Sequence, residues 1–92
     1  MTVEEDPQGE ILIVVDAPDM LRILTRILER SGHRVRASLT GRDALQQAQN
    51  QPPDLIVIDV NMPDMSGFEV CRALKADERT RAVPVLFVSG AG

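Results

Sequence analysis

Three polar residues each come directly after a short apolar run: Asp16, Asp59 and Ser89. A carboxylate at the end of a buried strand is costly to desolvate unless a partner or a reaction uses its charge. Two carboxylates together with backbone carbonyl oxygens form a hard, oxygen-rich site that suits Mg²⁺. A carboxylate beside Mg²⁺ can also act as a nucleophile toward phosphorus. These residue types predict a magnesium site with phosphoryl chemistry, provided that the fold brings the three positions together.

The apolar runs that precede these residues are typical of strands in a parallel sheet. Residues 11–15 and 55–58 are continuous and rich in β-branched side chains, whereas residues 33–38 alternate as an edge strand does. Amphipathic segments with helical spacing lie between the runs. Helix-opening signals stand in front of these segments, namely Pro18, Thr40, and the capping-box pair Ser66 and Glu69. The predicted order β-α-β-α-β-α-β is an α/β fold whose strands all end at one edge of the sheet.

Length, composition and charge exclude several classes of protein. The 92 residues suffice for one small domain, and residues 1–9 are expected to be a flexible tail. The net charge of -4 without a basic stripe, and the absence of Trp and Tyr, argue against nucleic acid as a partner. A single cysteine, the absence of a signal peptide and the absence of an apolar run of ~20 residues predict a cytoplasmic protein without a membrane partner.

Residues 11–90 resemble the receiver domain of bacterial two-component response regulators. The motif D-V-N-M-P-D-M-S-G, residues 59–67, is the most specific part and matches the loop after the third strand of that family. V-D-A-P-D, residues 15–19, resembles the acidic turn after the first strand, and V-L-F-V-S-G, residues 85–90, resembles the fourth strand with its switch hydroxyl. The resemblance implies a flavodoxin-like, three-layer fold with a parallel sheet in the order 2-1-3-4.

The resemblance also implies a role for each polar residue. Asp59 would accept a phosphoryl group from the phosphohistidine of a histidine kinase or phosphotransferase. Asp16, Asp59 and the backbone carbonyl of Asn61 would bind Mg²⁺, and Ser89 would hydrogen-bond a phosphoryl oxygen as the switch residue. Such a module is a phosphoacceptor that assists its own phosphorylation, and it is not a turnover enzyme. The transfer is an in-line displacement at phosphorus, helped by the metal and by positioning of the nucleophile.

This sequence departs from the family at the acidic turn. Counting back from Pro18, Asp16 takes the second of two acidic positions and Val15 takes the first. The site then loses one negative charge, and weaker Mg²⁺ binding is expected. In an alternative register Asp16 is the first acid and Ala17 replaces the second, which would impair direct coordination more. The spacing to Pro18 favours the first register.

A second departure concerns the end of the sequence, because residues 10–92 correspond to a receiver domain without its last β/α unit. The family's catalytic lysine lies in that unit. The only lysine here, Lys75, falls on the third helix, so the sequence contains no catalytic lysine. The fourth strand would become an apolar edge able to pair with a second copy of the chain, and the first helix would expose part of its Ile/Leu stripe.

Other functions remain as alternatives. The chain could be a phosphorylation-deficient pseudo-receiver that acts as a protein-interaction module, or an inactive receiver fragment. A phosphatase of the haloacid-dehalogenase type is disfavoured because it needs a second Asp where Asn61 stands. Nucleotide binding is disfavoured because no Gly-rich loop follows the first strand.

Four other residues have simpler interpretations. Asp19 is expected to be an acid at a helix N-terminus, Asp64 a turn residue, His33 a structural histidine, and Cys71 a small core residue. The arginines of the first helix are expected to form a solvated face, with a partner surface as the alternative.

Overall fold

The computed structural model of the protein describes residues 9–88. This part of the chain contains four strands: β1 (Glu10–Val14), β2 (Arg34–Ser38), β3 (Leu55–Asp59) and β4 (Val85–Val88). It also contains three helices: α1 (Pro18–Arg30), α2 (Gly41–Asn50) and α3 (Gly67–Ala76). Strands and helices alternate as predicted, and each helix begins at its predicted signal.

The four strands form one parallel sheet in the order β2-β1-β3-β4, which confirms the predicted fold class. In the register, Val14 of β1 pairs with Ser38 of β2 and with Ile58 of β3. Asp59 of β3 pairs with Val88 of β4. Because all strands run in the same direction, their carboxyl ends lie together, and we call this edge the carboxyl end of the sheet.

Alternate residues of the central strands pack against opposite helical layers. Leu12 and Ile58 belong to a buried cluster with side chains of α2 and α3, whereas Ile13 and Val57 belong to a second cluster with side chains of α1. A strand buried on both faces has no polar positions along its length, which explains the continuous apolar runs in the sequence. The result is a three-layer arrangement with the sheet between α1 and the α2/α3 pair.

The outer surface of the fold keeps several large apolar side chains in contact with solvent. β4 forms one edge of the sheet among the described residues, and its Leu86 and Phe87 are 55% and 36% exposed. The Phe87 ring packs against Phe68 of α3 with a centroid distance of 4.9 Å. Ile23 and Ile27 of α1 are also exposed. The predicted exposure of the fourth strand and of part of the α1 stripe is therefore observed within residues 9–88.

None of the three helices in the described part of the chain is both long enough and apolar enough to cross a membrane.

Candidate functional site

Asp59 occupies the last position of β3 and is 6% exposed. The register places Val15 beside it, since Val14 pairs with Ile58 and neighbouring strands lie about 4.8 Å apart. Asp16 follows one residue later. β1 and β3 therefore bring Asp16 and Asp59 to the carboxyl end of the sheet, as the sequence predicted. Ser89 directly follows the last residue of β4 but lies outside the described residues.

The Asp59 carboxylate is held by the first turn of the loop that follows β3. Its Oδ1 accepts a hydrogen bond of 3.0 Å from the backbone N–H of Asn61. The neighbouring peptide is fixed as well, because the N–H of Val60 donates to the carbonyl of Val88 at 3.1 Å. A carboxylate that bonds the backbone two residues later makes a compact local turn. The side chain of Asp59 thus has a defined orientation, and the carbonyl of Asn61 belongs to the same turn.

Gly67, the first residue of α3, packs directly on the end of β3. Its N–H donates to the carbonyl of Val60 at 2.7 Å. A Cβ at this position would lie 2.4 Å from the backbone oxygen of Asp59, which is far inside van der Waals contact. Glycine is therefore required because α3 begins against the backbone of Asp59. The predicted capping box is present, with the Glu69 N–H donating to Ser66 Oγ at 3.1 Å and the Ser66 N–H donating to Glu69 Oε1 at 2.9 Å.

Asp64 connects the loop after β3 to the start of α2. Its Oδ1 accepts from the N–H of Gly41 and its Oδ2 from the N–H of Arg42, both at 2.9 Å. These two hydrogen bonds hold the pKa of Asp64 below its ordinary value. Asp64 lies in the turn, as expected, but its capping contact was missed. The contact joins residues 22 and 23 positions apart, and no local sequence pattern encodes such a contact.

Val15 belongs to the hydrophobic core. It is fully buried in the cluster that contains Ile13 and Val57 and that packs against α1. Its backbone N–H donates to the carbonyl of Ser38 at 3.2 Å. Asp16, by contrast, is exposed at the start of the connection to α1. The turn after β1 therefore presents one carboxylate at the carboxyl end of the sheet.

The oxygen donors at this end of the sheet fit Mg²⁺ in type but are few. Asp16, Asp59 and the Asn61 carbonyl are hard oxygen ligands, and Mg²⁺ is commonly bound by one or two carboxylates while it keeps several waters. No group of three or more His, Cys, Asp or Glu side chains within residues 9–88 could hold a metal ion. The chemistry of these donors therefore fits Mg²⁺.

Lys75, the only lysine of the chain, lies at the opposite end of the sheet. Its Nζ donates to the carbonyls of Val83 and Arg81, at 2.6 and 3.2 Å. Val83 precedes β4, so these bonds stabilise the connection from α3 to the amino end of that strand. Lys75 therefore has a structural role in this connection.

The remaining candidate residues show no metal-binding arrangement. His33 is a partly buried residue in the connection from α1 to β2, and its backbone N–H donates to the carbonyl of Leu28. Cys71 is a partly buried thiol on α3. Asp19 forms an exposed ion pair of 2.8 Å with Arg22 in the first turns of α1, and such pairs contribute little.

Comparison with known proteins agrees with this fold. The family model of the response regulator receiver domain matches residues 11–92, and the chain belongs to this family. The chain is 39% identical over 81 residues to Protein PilH of Pseudomonas aeruginosa, covering 88% of this chain and 67% of PilH. It is 40% identical over 81 residues to the response regulator PleD of Caulobacter vibrioides, covering 88% of this chain but only 18% of PleD.

A solved structure of similar fold contains a magnesium ion. It is the receiver domain of a sensor histidine kinase from Pseudomonas aeruginosa, with the ion coordinated in the active site cleft. This chain superposes on it with a TM-score of 0.84 at 31% identity, covering 88% of this chain and 66% of that chain. The chain is thus a receiver domain of two-component signalling, a family whose members bind Mg²⁺ in the active site.

Proposed function

We propose that this receiver domain accepts a phosphoryl group on Asp59 in a Mg²⁺-dependent reaction. The observation that carries the proposal is the placement of Asp59. It ends a central strand at the carboxyl end of the sheet, its Oδ1 is held by the Asn61 N–H, and Asp16 follows the adjacent strand. Receiver domains of this family are phosphoacceptors rather than turnover enzymes, so the product is a modified protein.

The chemistry follows from the orientation of this carboxylate. Because the Asn61 N–H bonds Oδ1, we assign Oδ2 as the attacking oxygen. Oδ2 forms a bond to phosphorus while the P–N bond of the donor phosphohistidine breaks, and the electron pair leaves with the imidazole nitrogen. The turn at residues 59–61 gives the nucleophile a defined orientation before the donor binds, which would lower the entropic part of the barrier.

Mg²⁺ would be held by Asp16, Asp59 and the backbone carbonyl of Asn61. When bound, it neutralises the charge on the phosphoryl oxygens. The buried Val15 beside Asp59 supplies no ligand, so we expect weaker Mg²⁺ binding than a pair of acids at the first strand would give. Ser89 would hydrogen-bond the phosphoryl group, in line with its place directly after β4.

The partners follow from the same chemistry. Receiver domains interact with histidine kinases or phosphotransferases, and we propose one of these as the phosphoryl donor to Asp59. The exposed apolar edge of β4 supports a second copy of the chain as a further partner. We place the receiver domain at residues 10–92, and we propose that the protein acts in the cytoplasm. The tail predicted for residues 1–9 lies outside the described residues except for Gly9.

A second candidate function is a pseudo-receiver that binds proteins without being phosphorylated. It is favoured by Val15, which is fully buried where the family has an acid. The structural use of Lys75 at the far end of the sheet favours it too, because that side chain cannot reach a phosphoryl group on Asp59.

Intact-mass spectrometry after incubation with acetyl phosphate and Mg²⁺ separates the two functions. We expect a single phosphoryl adduct on the wild type and none on Asp59→Asn. Asp54→Asn is the matched control, because Asp54 is an acid at the amino end of the same strand, where it bonds the Glu10 N–H at 2.8 Å. Far-UV circular dichroism verifies that all three proteins are folded. A folded wild type without adduct would favour the pseudo-receiver.

A further inference from the structure

The loop between β3 and α3 is fixed to α2 at two adjacent residues. The two carboxylate oxygens of Asp64 bond the first two N–H groups of α2, those of Gly41 and Arg42. Next to it, the half-buried Met65 packs on Gly41 so closely that a Cβ there would lie 2.4 Å from Met65 Cγ. A polar and an apolar contact therefore fix the loop to the start of one helix.

The start of α2 is itself rigidly held. Thr40 caps the helix, its Oγ1 accepting from the N–H of Asp43 at 3.1 Å. The hydroxyl of the buried Ser38 donates to Asp43 Oδ2 at 2.7 Å. The backbone carbonyl of Ser38 accepts a hydrogen bond from the Val15 N–H. The turn between β2 and α2 thus contacts both segments that carry the candidate site. One of these segments precedes Asp16, and the other follows Asp59.

We propose that Asp64 is a positioning residue for the magnesium site. By fixing the loop to α2, it determines where the carbonyl of Asn61, three residues earlier, lies relative to Asp59. Mg²⁺ demands near-ideal octahedral geometry at short distances, so a displaced carbonyl is a poor ligand. With only two carboxylates, this site depends on the carbonyl more than a site with three would. The inference rests on the proposed function, because it concerns the same metal.

The proposal is tested by the affinity for Mg²⁺, measured by isothermal titration calorimetry on Asp64→Ala and Asp64→Asn. Residues that orient metal ligands typically affect affinity by an order of magnitude, so we expect Asp64→Ala to weaken binding on the order of 10-fold. Asp64→Asn retains one acceptor oxygen and should fall between Asp64→Ala and the wild type. The half-saturating Mg²⁺ concentration in the acetyl phosphate reaction should rise in parallel, with the rate at saturating Mg²⁺ unchanged.

Thr40→Ala is the matched control. It removes the Thr40 cap of the same helix and costs about 1 kcal/mol of stability. The Ser38 hydroxyl still bonds Asp43, and Asp64 still bonds the N–H groups of Gly41 and Arg42, so the loop after β3 stays attached to α2. Its Mg²⁺ affinity should equal that of the wild type. Repeating the titrations in about 0.5 M KCl screens the long-range effect of the lost negative charge, whereas an effect of position persists.

Three outcomes would overturn the proposal: an Asp64→Ala affinity within about twofold of the wild type, an equal loss in Thr40→Ala, or a loss that disappears in high salt. A fourth outcome, a wild type that binds no Mg²⁺, would also overturn it.

The same experiments distinguish a failure of this proposal from a failure of the proposed function. If Mg²⁺ affinity depends on Asp64 but no phosphoryl adduct forms, the proposal that Asp59 is phosphorylated is wrong and the positioning role of Asp64 stands. If the adduct forms with unchanged affinity in Asp64→Ala, the positioning role alone is wrong.

Discussion

Gly67→Ala is expected to destabilise the fold at the point where α3 meets Asp59. The added Cβ would lie 2.4 Å from the Asp59 carbonyl oxygen and 3.1 Å from both the carbonyl carbon of Asp59 and the Cα of Val60. These are backbone atoms in and next to a buried strand, so they cannot rotate away as a flexible side chain can. The helix must shift, which weakens the hydrogen bond of 2.7 Å from the Gly67 N–H to Val60.

The size of the effect is the difference between two opposing contributions. Forcing an extra carbon into a packed region costs about 1–3 kcal/mol, and the unyielding backbone contact argues for the upper half of that range. Alanine in place of glycine recovers about 0.5–1 kcal/mol through lower backbone entropy in the unfolded chain. We therefore expect Gly67→Ala to lower the free energy of unfolding by about 1–2.5 kcal/mol.

Urea denaturation followed by far-UV circular dichroism measures this loss, since the chain has no Trp or Tyr for fluorescence. Two other glycines complete a series. At Gly41 the close neighbours are side chains, chiefly Met65, which can move, so Gly41→Ala should cost less than Gly67→Ala. At Gly9 the nearest atom to a new Cβ is 3.5 Å away, so Gly9→Ala should be nearly neutral. Equal midpoints for Gly67→Ala and Gly9→Ala would refute the reasoning.

Three further predictions concern single side chains. The buried Thr80 hydroxyl donates to a backbone carbonyl of α3 at 2.7 Å; Thr80→Val should cost about 1 kcal/mol in urea denaturation, whereas Thr80→Ser should cost less. Hydrogen bonds from the Ser38 hydroxyl and the Gln47 side chain hold the pKa of Asp43 below its ordinary value. The stability that the ionised Asp43 contributes is therefore fully present above about pH 4 and is lost as the pH falls through the lower pKa of the folded state. Asp43→Asn should flatten the acid side of the curve of unfolding free energy against pH. Val15→Asp should raise Mg²⁺ affinity on the order of 10-fold by calorimetry, and a larger gain from Ala17→Asp would favour the alternative register.

Residues that pack within one element were predictable from the sequence. β1 and β3 are buried on both faces, which leaves a continuous apolar run as their signature. α3 begins where its capping box predicts, because both bonds of that motif lie within four residues. The position of Asp59 at the end of β3 could be predicted for the same reason, since it ends such a run and is followed by turn residues.

Individual hydrogen bonds between distant segments were not predictable. Asp64 looks like any other acid in a turn, because the N–H groups that it caps belong to a helix 22 residues earlier. The segment between α3 and β4 has no periodic pattern, yet Thr80 is fully buried there and its hydroxyl donates to the carbonyl of Leu74. Both cases depend on where the chain returns in three dimensions, and this depends on the whole packing arrangement.

The valine at position 15 lies between the core and the proposed magnesium site, and the two have opposing requirements. Val15 is fully buried against α1, and such burial contributes about 1.5–3 kcal/mol. An aspartate there would add a ligand charge beside Asp59 but lose this burial. Bound metal would restore stability by mass action: offsetting a loss of about 2 kcal/mol requires Mg²⁺ at roughly 30 times its dissociation constant. Val15→Asp should therefore be less stable than the wild type in EDTA and recover with increasing Mg²⁺, whereas a wild type with a weak site should respond little. A Val15→Asp protein whose stability is independent of Mg²⁺ would mean that position 15 does not face the metal.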